Sequence, residues 1–335
     1  MTPTDSGMNM SVQPGRSCPL HYRYAPRDFA RPADFHADTL YVIGGLYGNV
    51  PALEAVLALA AAEPAPVTLA FNGDFNWFNI DDAGFRAINS EVLRHHALRG
   101  NVETEIADDN SDAGCGCGYP DNVDDAEVAR SNAIAQSLRE TARRHADLRA
   151  RLAALPMNLV ADVGGVRVAI VHGDLESLAG WSLSQERLAY EGWKNIVLKQ
   201  LLTSQCVIVA SSHTCLPVAL TLNTASAPCA IFNNGAAGMP NFAGTQFGLI
   251  TRIATTPTLK TALYGTRIGD IHLEAIAVDY DHARWQHEFL ANWLPGSAGH
   301  ISYYQRIVGG PAYAVADANR IAVSNSAATR PNTIA

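Results

Sequence analysis

Four polar residues stand where predicted buried strands end: Asp74, Asn101, His172 and His213. Each lies within three residues of a short apolar run. Polar residues just past buried strands collect at one edge of a sheet, where α/β proteins bind ligands. One carboxylate, one amide oxygen and two imidazoles form a mixed oxygen and nitrogen set, which suits Mn²⁺, Fe²⁺ or Zn²⁺ and is too rich in nitrogen for Ca²⁺. The sequence therefore predicts a transition-metal site.

Two cysteine-containing segments offer a second set of ligands. Cys115 and Cys117 flank a glycine in a Gly-rich run, and Cys18 and His21 share the segment CPLHYRY ahead of the first predicted strand. If the segments meet, a C-x-C pair and a C-x₂-H pair could form a tetrahedral structural zinc site. The spacing is not a standard zinc motif. Three other readings stay open: free thiols, a disulfide from Cys18 to the loop, or convergence of Cys115 and Cys117 with Cys215 around a soft ion or a redox step.

The elements that position these residues change character along the chain. The first part alternates predicted strands (Thr39–Ile43, Val67–Phe71, Ala97–Arg99, Asn158–Asp162, Val166–Val171, Val207–Ala210) with predicted helices (Val50–Ala62, Ala83–His95, one or two within Asp124–Leu155, Gln185–Leu202). A β-rich part follows with strands at Val218–Leu222, Cys229–Asn233, Phe247–Thr251, Thr258–Tyr264 and His272–Asp279, then helices at His282–Leu294 and Ser302–Val308. This order predicts an α/β fold with two packed sheets and helices outside. Residues 17–315 are expected to form one domain between disordered tails at 1–16 and 316–335.

The motifs at the strand ends resemble those of the calcineurin-like metallophosphoesterases. The family signature reads D-x-H-G-N, G-D, G-N-H-[DE], V-H-G and G-H-T-H. It is matched in order by Gly45–Asn49, Gly73–Asp74, Gly100–Asn101, His172–Gly173 and Ser212–Cys215, within a resemblance that covers most of residues 38–300. The resemblance implies a four-layer α/β/β/α sandwich and metal-dependent hydrolysis of phosphoesters.

In that family, two metal ions share one aspartate. The resemblance places Asp74, Asn101, His172 and His213 at one site, which is complete. It places Gly45, Tyr47 and Cys215 with Asp74 at the other site, where all three private ligands differ. Loss confined to one site favours a single-metal centre. The alternative is that Tyr47 phenolate and Cys215 thiolate rebuild a site that prefers ferric or thiophilic ions.

Other positions of the signature bear on the reaction. Val102 stands where many members carry a histidine that protonates the leaving oxygen, and members without it are often phosphodiesterases. By the same resemblance, Asn49 could contact a substrate oxygen, and Glu103 could orient the metal ligands. Trp77 follows Asp74 in a loop expected to overhang the metal.

Composition limits the partners. The net charge is −8 and there are only three lysines, so a nucleic-acid partner is not expected. The N-terminus lacks an apolar signal segment and no run approaches the ~20 apolar residues of a spanning helix, which favours a cytoplasmic protein without a membrane partner. The Ala-rich, Lys-poor composition is typical of a GC-rich bacterial genome.

The sequence thus predicts a phosphoester hydrolase acting on a small molecule, more a diesterase than a monoesterase, with one metal. Asp74, Asn101, His172 and His213 would hold the ion, with Tyr47 or Cys215 as ligand, proton donor or pocket wall. Two alternatives remain: a catalytically inactive metal- or ligand-binding relative, and an enzyme with non-hydrolytic chemistry at Tyr47 and Cys215.

Overall fold

A computed structural model of this chain describes residues 13–224 and 227–321. The strands in these ranges are β1 Phe35–Ala37, β2 Thr39–Ile43, β3 Thr68–Asn72, β4 His96–Leu98, β5 Asn158–Val163, β6 Val166–Val171, β7 Ile208–Ser211, β8 Val218–Asn223, β9 Pro228–Asn233, β10 Gly248–Ala254, β11 Tyr264–Ile268, β12 Ile271–Val278 and β13 Asn319–Arg320. The helices are α1 Val50–Ala61, α2 Asp82–Val92, α3 Asn101–Ala107, α4 Asp125–Arg143, α5 Ala146–Ala153, α6 Glu191–Ser204, α7 His282–Asn292, α8 Ala298–Gly309 and α9 Val315–Ala318. Short 3₁₀ turns lie at Leu20–Tyr22, Pro26–Phe29 and Arg187–Ala189.

The strands form two sheets. The six-stranded sheet has the order β11-β12-β10-β2-β3-β4, and the seven-stranded sheet has the order β1-β5-β6-β7-β9-β8-β13. Each sheet contains three adjacent parallel strands: β2, β3 and β4 in one, and β6, β7 and β9 in the other. The carboxyl ends of parallel neighbours meet at one edge, which is where ligands bind in α/β proteins.

Alternation along the strands builds the layers. In β2, Leu40 and Val42 pack between the two sheets, whereas Tyr41 and Ile43 pack against helices, because successive side chains point to opposite faces of a strand. The seven-stranded sheet behaves likewise, with Ile208 between the sheets and Val209 facing α6. The predicted four-layer α/β/β/α sandwich is confirmed. No helix in the described ranges is long and apolar enough to cross a membrane.

Some predicted boundaries were wrong. The strand placed at Thr258–Tyr264 begins only at Tyr264, because the backbone N–H of Thr258 donates to the carboxylate of Glu274 instead of to a neighbouring strand. The helix placed from Gln185 begins at Glu191, after a 3₁₀ turn.

The predicted tails overlap folded structure. Arg16 donates to the carbonyls of Pro120 and Val123, and Val315–Ala318 forms α9 before β13 pairs with β8. Both predicted tails are therefore too long; their remaining residues, 1–12 and 322–335, lie outside the described ranges.

Candidate metal centre

The fold brings the four predicted ligands together from both sheets. Asp74 follows β3 and Asn101 follows β4 as the first residue of α3, whereas His172 follows β6 and His213 follows β7. All four side chains are buried. Ligand atoms of Asp74, His172 and His213 lie within 4.8 Å of one another, the only such group of three or more His, Cys, Asp or Glu residues in the described ranges.

The atoms that face each other are spaced like ligands of one ion. His172 Nε2 lies 3.0 Å from Asn101 Oδ1, 3.2 Å from Asp74 Oδ2 and 3.0 Å from His213 Nδ1. Two ligands of one ion, at bond lengths of about 2.0–2.1 Å, lie about 2.9–3.4 Å apart at octahedral or tetrahedral angles. The observed spacings fall within that range.

Backbone carbonyls fix which atoms face inward. His172 Nδ1 lies 3.0 Å from the carbonyl of Asn72, and His213 Nε2 lies 3.0 Å from that of Cys117, so each donates there in its neutral form. The Asn101 amide nitrogen donates to the carbonyl of Cys115, at 2.9 Å, which turns its oxygen inward. Three of the four inward atoms therefore present lone pairs through an assigned hydrogen bond, and the fourth is a carboxylate oxygen. Such a set fits a cation.

The pKa of His213 also favours a neutral ring that presents a lone pair to a cation. Burial, and then the neighbouring His172, lower the pKa of His213 to about 3, so His213 is neutral at physiological pH. Burial lowers the pKa of His172, but the charge and hydrogen bond of Asp74, the Asn72 carbonyl and the charge of Glu103 together raise it above its usual value.

The backbone around the site is strained and tightly packed. Four non-glycine residues in the described ranges have positive φ, and three lie here: Tyr47 (55°), Asp74 (52°) and Cys215 (61°). Such conformations cost on the order of 1 kcal/mol or more each and cluster at functional sites. Gly100 has to be glycine, because a Cβ there would collide with the Asp74 carboxylate.

Glu103 orients the aspartate, as expected from its motif position. Its buried carboxylate accepts hydrogen bonds from the backbone N–H groups of Asp74 at 2.7 Å, Gly100 at 3.0 Å and Asn76 at 3.1 Å. Burial, and then the charge of Asp74, raise the pKa of Glu103 to about 7. The carboxylate thus ties the loop after β3 to the start of α3.

Tyr47 and Cys215, which replace two private ligands of the other site, contact each other. The Tyr47 hydroxyl oxygen lies 2.9 Å from Cys215 Sγ. Burial raises the pKa of both groups, and each favours its protonated form. The predicted Cys215 ligand is not part of the cluster of Asp74, His172 and His213. The two replacements satisfy one another at the edge of the cavity.

A small cavity of about 40 Å³ adjoins the ligands. Its walls are Tyr47, Asp74, Trp77, Asn101, Val102, Cys117, Tyr119, Trp181, His213, Cys215 and Tyr303. Sequence reasoning found Trp77 here but missed Tyr119, Trp181 and Tyr303, which belong to two distant loops and a helix. No sequence pattern distinguishes them from ordinary core aromatics.

Two other predictions need correction. The structure does not bring Cys18, His21, Cys115 and Cys117 together as a zinc site: Cys18 Sγ contacts Ser177 Oγ at 3.1 Å, and all six cysteines are free thiols. Cys115 and Cys117 instead contact the candidate site through their backbone carbonyls, which accept hydrogen bonds from Asn101 and His213.

Asn49 does not face the cavity. Its oxygen accepts from the N–H of Ala52, which caps α1, and its amide nitrogen donates to the carbonyl of Gly238. The predicted substrate contact is therefore replaced by a structural role.

Comparison with known proteins identifies the fold through structure rather than sequence. No protein-family model matches the chain, and no curated protein matches it by sequence. The crystal structure of a metallophosphoesterase from Sphaerobacter thermophilus superposes with a TM-score of 0.53 at 17% identity, over 82% of this chain and 100% of that one. A hypothetical protein from Pyrococcus horikoshii OT3 superposes with a TM-score of 0.56 at 15% identity, over 82% of this chain and 99% of that one. The predicted resemblance is confirmed at the level of architecture, and this chain has the metallophosphoesterase fold.

Proposed function

We propose that this chain is a metal-dependent phosphoesterase that prefers phosphodiesters and works with one metal ion. Asp74, Asn101, His172 and His213 would hold the ion. The observation that carries the proposal is the convergence of four lone-pair atoms, three of them oriented by hydrogen bonds to backbone carbonyls and the fourth a carboxylate oxygen. The mixed oxygen and nitrogen set suits Mn²⁺, Fe²⁺ or Zn²⁺.

A divalent ion, when bound, supplies a Lewis acid that polarises a phosphoryl oxygen and lowers the pKa of water toward about 7. Hydrogen bonds within the protein hold the predicted ligands of that ion in place. Glu103 fixes the Asp74 backbone, and the carbonyls of Cys115 and Cys117 hold the Asn101 amide and the His213 ring.

The charges of the cavity favour a diester over a monoester. Among the described residues, no lysine or arginine lines the cavity, and Asp74 is the only carboxylate in its wall. A divalent ion beside one carboxylate leaves a formal charge of about +1, which a phosphodiester monoanion balances and a phosphomonoester dianion exceeds. Unbalanced charge is costly in a buried, aromatic environment.

Tyr47 is the group that can supply the proton missing at Val102. Its hydroxyl lines the cavity and burial keeps it protonated. During hydrolysis, a new bond would form from phosphorus to a water oxygen while the bond from phosphorus to the leaving oxygen breaks and that oxygen takes the Tyr47 proton. The proton that the water releases would then return to the Tyr47 oxygen and restore the phenol. Cys215, in contact with the phenol, would stabilise the transient phenolate.

The direct test is metal analysis joined to turnover. The wild type, His213→Ala and the control His36→Ala, which changes an exposed histidine, are purified without chelator, and Mn, Fe, Co, Ni, Cu and Zn are quantified. We expect about one ion per chain in the wild type and the control, loss in His213→Ala, and hydrolysis of bis(p-nitrophenyl) phosphate that follows the metal. A wild type without metal after reconstitution, or activity retained in His213→Ala, would contradict the proposal.

A second candidate is a metal-binding relative without catalysis. The small cavity of about 40 Å³ and the Tyr47–Cys215 contact at the other site favour it. Metal bound through His213 together with no turnover across a panel of monoesters and diesters would support this alternative.

A further inference from the structure

Besides Tyr47, four aromatic residues from four separate segments line the cavity beside the predicted ligands. Trp77 follows β3, Tyr119 lies between α3 and α4, Trp181 lies between β6 and α6, and Tyr303 belongs to α8. We call these residues the aromatic wall. Trp77 is buried, whereas the other three are half-buried and keep part of their surface open to solvent.

The wall is packed directly against the metal ligands. The Trp181 ring meets the His213 ring edge-on at 5.3 Å between centroids, and its Nε1–H donates to the Cys117 carbonyl, which also accepts from His213. Tyr119 adjoins Trp181 at 6.0 Å, and Tyr303 meets Trp77 edge-on at 6.4 Å. Much of the cavity wall beside the predicted ligands is therefore aromatic surface.

The wall offers no positive charge. Arg306 contacts the cavity residue Cys215, but its guanidinium is committed to the carbonyls of Cys215 at 2.6 Å and Pro240 at 3.2 Å. Phosphate recognition here rests on the metal alone, so the rest of the ligand has to be recognised by other means. Aromatic faces recognise planar apolar groups by stacking.

The cavity is large enough for only one part of the proposed ligand. At about 10–15 Å³ for each water-sized group, a space of about 40 Å³ accepts an ion with two or three small groups, which is the scale of phosphoryl oxygens. It is several times smaller than the cavity of about 150 Å³ that is known to bind benzene, so an aromatic ring does not fit inside. We expect a ring attached to the phosphoryl group to lie outside, against the accessible parts of the half-buried Tyr119, Trp181 and Tyr303.

We propose that the aromatic wall selects phosphodiesters that carry an aromatic or other planar substituent. This inference rests on the proposed function of the metal site and names the class of its substrate. The substituent stacks on Trp181 and its neighbours while the phosphoryl group enters the cavity. The chemistry is common to a simple aryl group and to a nucleobase.

Equilibrium binding tests the wall independently of turnover. Mn²⁺-loaded protein is titrated with diphenyl phosphate and with dimethyl phosphate, both monoanions, while tryptophan fluorescence or heat is followed. We expect diphenyl phosphate to bind about 10-fold more tightly, since stacking on one aromatic side chain has this magnitude. Trp181→Ala should remove the preference and Trp181→Phe should keep most of it, with metal content measured in each variant. Tyr303→Ala and Tyr303→Phe form a second pair that leaves the Cys117 hydrogen bond intact.

The outcomes separate this inference from the proposed function. Equal affinity for the two diesters in the wild type, or a preference unchanged in both alanine variants that retain metal, overturns the aromatic wall even if the protein hydrolyses diesters. A preference without any hydrolysis supports the wall and overturns the proposed reaction. A dinucleoside monophosphate, titrated as a third ligand, tells a nucleobase from a simple aryl group, and tighter binding of either than of dimethyl phosphate supports the inference.

Discussion

At the scale of single residues, the candidate site depends on groups that orient the predicted ligands without being ligands themselves. The His172 and His213 rings are oriented by backbone carbonyls, and Asp74 is held in a left-handed conformation by the carboxylate of Glu103. Partners of this kind typically change metal affinity by 10- to 100-fold when they are removed. Loss of the Glu103 carboxylate should therefore weaken metal binding even though Glu103 is not itself a predicted ligand.

Glu103→Gln should weaken metal binding by about 10- to 100-fold. One Glu103 oxygen accepts from two backbone N–H groups and the other accepts from a third, so either orientation of glutamine sets an NH₂ group against a donor. Glu105→Gln is the matched control, since Glu105 is equally buried in α3 but bonds to Tyr22 and Arg139. Titration with Mn²⁺ and urea unfolding should show lower stability in both variants and weaker metal binding only in Glu103→Gln. Equal metal affinities would remove Glu103 from the site.

Tyr47→Phe should reduce turnover of a phosphodiester by about 100-fold, the lower range for loss of a general acid, with metal content unchanged. The phenol lines the cavity and contacts only Cys215 through its hydroxyl. Tyr41→Phe serves as control, because Tyr41 lies on the helix-facing side of the six-stranded sheet and its hydroxyl donates to Glu63. Wild-type turnover by Tyr47→Phe would assign the proton to another donor.

At the scale of elements, the segment Cys115–Cys117 holds two of the predicted ligands in place, and we call this segment the brace. Its two carbonyls hold Asn101 and His213, and it is itself held by α4, where Asn132 Oδ1 accepts the backbone N–H of Cys115 at 2.9 Å. The Asn132 amide nitrogen donates to Pro14, so the N-terminal segment is joined to the same brace. Metal affinity should respond to contacts made well outside the ligands.

Asn132→Ala tests that connection. We expect metal affinity to fall by about 10-fold and the free energy of unfolding to fall by about 1–2 kcal/mol, because a half-buried amide with two backbone partners is lost. Gln136→Ala, on the exposed side of the same helix, is the control and should change neither quantity appreciably. A loss of stability without a change in metal affinity would show that the brace does not reach the ligands.

The strands and helices that could be predicted from the sequence are those whose signal lies in neighbouring residues. Strand Thr39–Ile43 matches β2, and the helix from Val50 and the hairpin at Gly164 were found because periodicity and turn residues are written in adjacent positions. The convergence of the four predicted ligands could be anticipated because they follow apolar runs and match a known signature. The aromatic wall could not, because its rings come from positions 77, 119, 181 and 303. The carbonyl that orients His213 could not be found either, since every residue carries one.

At the scale of the whole molecule, one buried cation joins the helical layer to the six-stranded sheet. Arg252 in β10 is fully buried, and its guanidinium contacts Glu63 at 2.7 Å, just beyond α1, and Glu274 of β12 at 2.8 Å. Tyr41 of β2 donates to Glu63 as well. A buried ion pair of this kind is costly to break from one side, because the remaining charge is left without compensation.

The stability of the fold should depend on pH through Glu63. Burial alone raises the pKa of this carboxyl, but hydrogen bonds from Arg252 and Tyr41, and the charge of Arg252, lower it below its usual value. The unfolded chain therefore binds the proton more tightly, and the stabilisation is complete above the unfolded pKa of about 4.3 and is lost as pH falls through the folded pKa.

Glu63→Gln is expected to lower the free energy of unfolding by about 1–3 kcal/mol at pH 7, since a hydrogen-bonded charge is replaced by a neutral amide while Glu274 still compensates Arg252. The difference from the wild type should shrink as pH falls below about 4, where the wild-type carboxyl also becomes neutral. Urea unfolding from pH 3 to pH 7 measures this difference in the free energy of unfolding. The control is Glu54→Gln, since Glu54 in α1 forms an exposed ion pair with Arg284 in α7. That exposed pair should contribute less than about 1 kcal/mol at any pH. A difference for Glu63→Gln that stays constant over this range would mean that packing, rather than the charge of Glu63, joins the two layers.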